Sequence, residues 1–92
     1  MSTLGNLVAV QRSTADGRIV RNPRVLGGEP VVRGTRISVR SIVLASREFG
    51  GLDGVREAYP QLTADEVAEA LAFYRSHAAE IDRSIQANLA EA

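Results

Sequence analysis

A chain of 92 residues holds one compact domain, and at that size folding buries only about 60–65% of the unfolded surface, so the core is thin and a second copy or a partner would help it. Cysteine is absent, which excludes disulfides and thiolate zinc sites, leaves oligomerisation as the substitute staple, and fits a cytoplasmic setting. The formal net charge of zero hides a split: residues 1–47 set eight arginines against two acids for +6, and residues 48–92 set three against nine for −6.

Two readings of that split stand side by side. In one, the basic end meets a polyanion and the acidic end a basic protein. In the other, the two halves neutralise each other, within one chain or head to tail between chains.

At the N-terminus, Met1–Gly5 shows no basic stretch followed by an apolar run, so no signal peptide is expected. No apolar stretch approaches the roughly 20 residues that span a bilayer, so no membrane role is expected either. Leu7 to Val10 and Ile19-Val20 are short apolar runs around Asp16-Gly17, a step that favours positive φ and predicts a hairpin. Asn22-Pro23 and Gly27-Gly28-Glu29-Pro30 are turn chemistry, Val31-Val32 is a brief strand, and Gly34-Thr35 reverses the chain into Arg36-Ile37.

The texture changes near Ser38 from Gly, Pro and β-branched residues to Ala, Leu and Glu, which predicts strands first and helices after. A first helix opens at Ser38 as N-cap, with Ile37 and Ile42 placed as a hydrophobic staple, and stops at Gly50-Gly51. A short second helix runs from about Leu52 to Tyr59 and ends before Pro60. Gly54 inside it costs about 1 kcal/mol relative to Ala. The third helix has the clearest start, because Thr63 and Glu66 form a capping box and Leu62 and Val67 a staple across it. From there Val67, Leu71, Tyr74, Ala78, Ile81, Ile85 and Leu89 recur at steps of three and four, so one apolar stripe runs nearly to the C-terminus. Its second half overshoots a small domain.

The expected fold is mainly α: a three-helix, homeodomain-like helix-turn-helix core after a small β-hairpin region, with a long last helix. Residues 1–17 form an arm or strand, residues 18–76 the domain, and residues 77–92 an extension of the last helix. Asp65, Glu66 and Glu69 on the third helix repel phosphates, which argues against base reading by it. The better candidates for DNA are Arg33, Arg36, Arg40 and Arg47, whose alternative use is solubility and pairing with the acidic helices. Ala78, Ile81, Ile85 and Leu89 are the candidate partner-binding stripe, on the view that an apolar stripe beyond the core marks a contact. No Gly-Lys-Ser/Thr ends the glycine segment, and His77, the only histidine, has no cysteine, triad or carboxylate pair around it. No active site, metal or cofactor is therefore expected.

The run Arg18 to Ile37, with Gly27-Gly28, Pro30 and Gly34-Thr35-Arg36, followed by Tyr59-Pro60-Gln61-Leu62-Thr63, resembles a bacterial family known as domain of unknown function 433. The resemblance covers about Arg18 to Tyr74. It implies a homeodomain-like helix-turn-helix similar to the DNA-binding part of VapB-type antitoxins, in a family often encoded beside a PIN-like ribonuclease toxin. What it implies for this chain is a type II antitoxin: a homodimer that neutralises such a toxin and binds operator DNA, without enzymatic activity of its own. Carried over by position, Gly27, Gly28, Pro30, Gly34, Thr35 and Arg36 match the signature turns, and Tyr59, Pro60, Leu62 and Thr63 the inter-helix turn. Gly50-Gly51 departs from the family's polar cap, and the stretch before Ile19 is longer than its core requires. A stand-alone transcription regulator and a dimerisation module without DNA binding are the alternatives.

Overall fold

A computed structural model describes residues 10–91. The described chain is mainly helical, with a small antiparallel sheet of three strands at its start and four α-helices after it. Strand β1 (Gln11–Arg12) pairs with β2 (Ile19–Arg21), and β2 pairs with β3 (Pro30–Val32) in the register Ile19 to Val32 and Val20 to Val31. The hairpin expected at Asp16-Gly17 is present, with Gly17 at φ +72°. Its first strand starts after Val10, and Leu7 to Ala9 lie outside the described residues.

Side chains alternate across a strand, so Ile19 and Val32 enter the main core while Val20 and Val31, also buried, stand outside it. Between β2 and β3 three successive residues, Leu26, Gly27 and Gly28, take positive φ of 50°, 65° and 90°. This left-handed turn carries the chain to Glu29, where the carboxylate receives both arms of Arg40: Nε donates to Oε1 at 3.1 Å and Nη2 to Oε2 at 3.0 Å.

Helix α1 (Val39–Phe49) is capped by Ser38, whose Oγ accepts from the Ser41 N–H, and ends at Gly50 in the left-handed region at φ +95°. A side chain there would be strained. Helix α2 (Gly51–Ala58) begins one residue earlier than the spacing predicts and stops before Pro60, as expected. Helix α3 (Ala64–Ser76) carries the full capping box: Thr63 Oγ1 accepts from the Glu66 N–H, and Glu66 accepts from the Thr63 N–H.

The long last helix is corrected by the structure. It breaks at His77, which leaves the helical region at φ −132°, ψ 32°, and helix α4 (Ala78–Glu91) restarts after it. No glycine or proline marks the break. Ser76 Oγ donates to the Phe73 carbonyl, His77 Nδ1 lies 3.1 Å from the same carbonyl, and the His77 ring stacks on Phe73 at 4.0 Å between centroids. Side chains thus take up the backbone acceptor that the next helical turn would use, the competition by which polar residues end helices. The His77 N–H turns instead to Tyr74, three residues back.

Because of that break α4 packs on α1 as well as on α3. Ile81 and Ile85, 1% and 4% exposed, join Val39, Ile42, Val55, Val67 and Phe73 in one core. The buried face of α3 is Val67, Ala70 and Phe73, with Leu71 and Tyr74 at its margin. The first half of α4, through Ile81 and Ile85, therefore completes the core rather than extending beyond it.

Candidate functional site

The four candidate arginines are not one equivalent set. Arg40 is held by Glu29 and its side chain is 17% exposed. Arg47 donates to Tyr74 Oη at 2.9 Å, and that hydroxyl donates in turn to Asp82 Oδ1 at 2.9 Å, with the guanidinium 5.7 Å from the Tyr74 ring centroid. Arg33 and Arg36 differ. They sit on the exposed turn between β3 and α1, and neither has an acidic partner among the described residues. Together with Val10, Val20, Val25 and Val31 they border a pocket on the second face of the sheet.

The turn's shape follows from its residues. Gly34 supplies φ +80°, Thr35 Oγ1 donates to the Val32 carbonyl at 2.8 Å and accepts from the Ile37 N–H at 2.9 Å. Arg33 and Arg36 thereby project from a braced loop rather than a loose one.

The basic and acidic halves meet inside the chain. Arg18 bonds Glu69 and Asp16, and Arg21 makes a two-pronged pair with Glu80 at 2.7 and 2.9 Å while lying 5.7 Å from the Phe73 ring centroid. Burial works against the Glu69 carboxylate, but donors from Thr14 and from the Arg18 side chain and backbone outweigh it and hold its pKa below the ordinary value. The Arg21 guanidinium does the same for Glu80. These pairs realise the intrachain form of the charge split.

Of the expected partner stripe, Ile81 and Ile85 are core, Ala78 is half-buried, and Leu89 alone stands out, at 60% exposure. Two acids of the same helix are engaged as well, Glu80 by Arg21 and Asp82 by Tyr74 and Arg47. A second exposed apolar surface lies elsewhere. Leu44 and Phe49, 37% and 55% exposed, border a groove between α1 and the end of α2 with Ser41, Glu48 and Ala58. Sequence reasoning passed over it, although Leu44 stands off the Val39, Ile42 and Val43 face of its helix and was visible on that ground. Among the described residues no cluster of His, Asp or Glu has metal-ligand geometry, and no helix is long and apolar enough to cross a membrane.

The signature turns described above coincide with a known sequence family. The model of the protein family of unknown function DUF433 matches residues 19–74. The chain belongs to this family. A solved structure of a DUF433 member from Anabaena variabilis shares 36% identity and superposes with a TM-score of 0.64, covering 75% of this chain and 68% of that one. The uncharacterized protein y4eO of Sinorhizobium fredii is 35% identical over 49 residues, which is 53% of this chain and 22% of that protein. The chain thus spans about a fifth of that relative's length. For this DUF433 member the match ends at residue 74, so the His77 break and α4, whose Ile81 and Ile85 complete the core, lie beyond the family's matched segment.

Proposed function

We propose that this DUF433 protein is a binding protein without catalysis of its own, and that it serves as the antitoxin of a type II pair, holding a PIN-like ribonuclease and contacting operator DNA. The observation that carries the binding part is the inequality of the arginines: Arg40 is paired with Glu29 and Arg47 is tied to Tyr74 and Asp82 while half exposed, whereas Arg33 and Arg36 stand exposed together on a braced turn with no acidic partner among the described residues. Two guanidinium groups without internal acids are the arrangement that recognises phosphate or carboxylate. The antitoxin part rests on the resemblance of the signature turns to VapB-type proteins. In this reading α2 and α3 form a helix-turn-helix used for packing, since Asp65 and Glu66 occupy the first turn of α3 and would repel a phosphate backbone.

The toxin contact moves from the full stripe to the exposed last turns of α4 around Leu89. The test is co-purification of the full chain, and of Leu89→Asp, with the ribonuclease-like product of the adjacent gene. Capture by the unmodified chain and loss with Leu89→Asp are expected, and failure of both to bind would remove the antitoxin reading. Anisotropy of labelled upstream DNA is read in parallel. Affinity that falls steeply with salt, and falls further for Arg33→Ala, is expected; binding indifferent to both leaves the interaction-module alternative in its place.

A further inference from the structure

The second face of the sheet gathers cations around aliphatic side chains. Arg12 on β1 pairs with Val20 on β2, and Val20 with Val31 on β3, so these three share a face, and strand alternation places Val10 and Arg33 with them. A Cβ at Gly17, in the hairpin turn, would stand 2.9 Å from the Arg12 Cδ and 3.6 Å from the Arg33 Nη1. The two side chains thus converge over one glycine. Arg36 borders the same pocket as Arg33, and none of the three arginines has an acidic partner among the described residues. Like charges gathered in this way repel one another until an anion joins them.

The pocket has two chemically distinct parts. Its volume is about 440 Å³, within the range of small-molecule sites. Its apolar side chains are all valines: buried Val20 and Val31, half-buried Val25, and Val10 at 51% exposure. Its polar side chains offer only donors. The single hydroxyl proton of Thr35 is committed to the Val32 carbonyl. Asn22 Oδ1 accepts from the Arg24 N–H at 2.9 Å, which leaves its NH2 as the group it can present. No Asp or Glu lines the pocket among the described residues. We propose that it binds a small amphiphilic anion, a medium-chain aliphatic carboxylate, with the hydrocarbon on the valines and the carboxylate held by Arg33 and Arg36, whose forked donors match its two oxygens. Arg12 adds positive charge at the hairpin side.

Other occupants answer only part of the site. A phosphate group meets the guanidinium groups and leaves the valines in water, and a neutral hydrocarbon does the reverse. An apolar peptide brings backbone N–H and C=O groups that need partners, which a sheet edge supplies and a face of valines does not. Residues 1–9 contain no Asp or Glu, so that segment has no side-chain charge to offer the arginines. This proposal goes beyond the DNA reading and does not depend on it, although both use Arg33 and Arg36.

The experiment is calorimetric titration of the full chain at low ionic strength with octanoate, and with acetate and octanol, which each carry one half of that ligand. Octanoate is expected to bind one per chain, at least about tenfold more tightly than either half. Arg36→Gln, a change on an exposed turn, is expected to weaken octanoate about tenfold, the worth of a hydrogen bond to a charged group, and to leave octanol unaffected. Val25→Asn is expected to weaken octanoate from the apolar side, with far-ultraviolet circular dichroism checking that both variants keep the fold. Methyl shifts in the unmodified chain locate the ligand without any variant, and are expected to centre on Val20, Val25 and Val31. Octanoate binding no tighter than acetate or octanol, binding indifferent to Arg36→Gln, or shifts centred on Leu44 instead overturns the proposal. A chain that binds upstream DNA but not octanoate overturns this proposal and leaves the DNA reading standing, and a chain that binds octanoate but not DNA does the opposite.

Discussion

Gly54 shows how a residue that the sequence marks as a defect becomes a requirement in the structure. In helix-propensity terms an alanine there would stabilise α2 by about 1 kcal/mol. A Cβ at position 54 would, however, lie 2.1 Å from the Phe49 carbonyl oxygen and 2.8 Å from the Phe49 Cβ. The backbone oxygen cannot withdraw without moving the end of α1. Gly54→Ala is therefore expected to destabilise the fold by about 1–3 kcal/mol, the range of overpacking, read as a lower urea midpoint; a raised midpoint would mean that the helices have room to separate. Glu69 supports a second prediction at this scale. Its pKa is depressed in the folded state by Thr14 and Arg18, so its contribution is fully present above the unfolded carboxylate pKa of about 4.3 and is lost as pH falls through the lower folded value. Thermal stability of the unmodified chain is expected to drop over that acid window, and Glu69→Gln to flatten the drop while lowering stability at neutral pH.

At the level of elements, local side-chain chemistry decided how much could be read in advance. The capping box at Thr63 and Glu66, the Ser38 cap and the Gly50 stop were all legible because each is written in residues that touch the backbone they satisfy. Thr63→Ala is expected to cost about 1 kcal/mol, the usual value of a lost N-cap, in thermal or chemical unfolding. The break at His77 was illegible because hydrophobic periodicity continues through it: Tyr74, Ala78 and Ile81 keep helical spacing. Periodicity reports which face is apolar, and a backbone that bends back onto the core preserves that pattern while changing what the face meets. The candidate site suffered the same blindness. Arg40 and Arg47 look equivalent to Arg33 and Arg36 in the chain, and only the placement of Glu29 and of the Tyr74–Asp82 pair separates the engaged guanidinium groups from the exposed ones.

For the whole molecule, the question is how so small a chain closes a core, and α4 is the answer the structure gives. A domain of this size has only about 5–10 kcal/mol to lose, and Ile81 and Ile85 are two of its deeply buried aliphatic side chains. Ile81→Ala is expected to cost about 2–4 kcal/mol, the transfer and cavity terms together, and so to consume much of that margin. The Arg21–Glu80 pair that anchors the first turn of α4 to β2 is partly exposed, and breaking it with Arg21→Ala is expected to cost no more than about 1 kcal/mol. The contrast between the two variants in thermal unfolding separates the roles: apolar burial holds α4 in place, and the ion pair fixes where it lands. A chain ended after Arg75 is then expected to lose its cooperative transition. Loss of partner binding in such a truncation would report unfolding, whereas Leu89→Asp, exposed and outside the core, reports the contact itself. Equal destabilisation by Ile81→Ala and Arg21→Ala would show instead that α4 is held by its charges and leaves the core intact when it detaches.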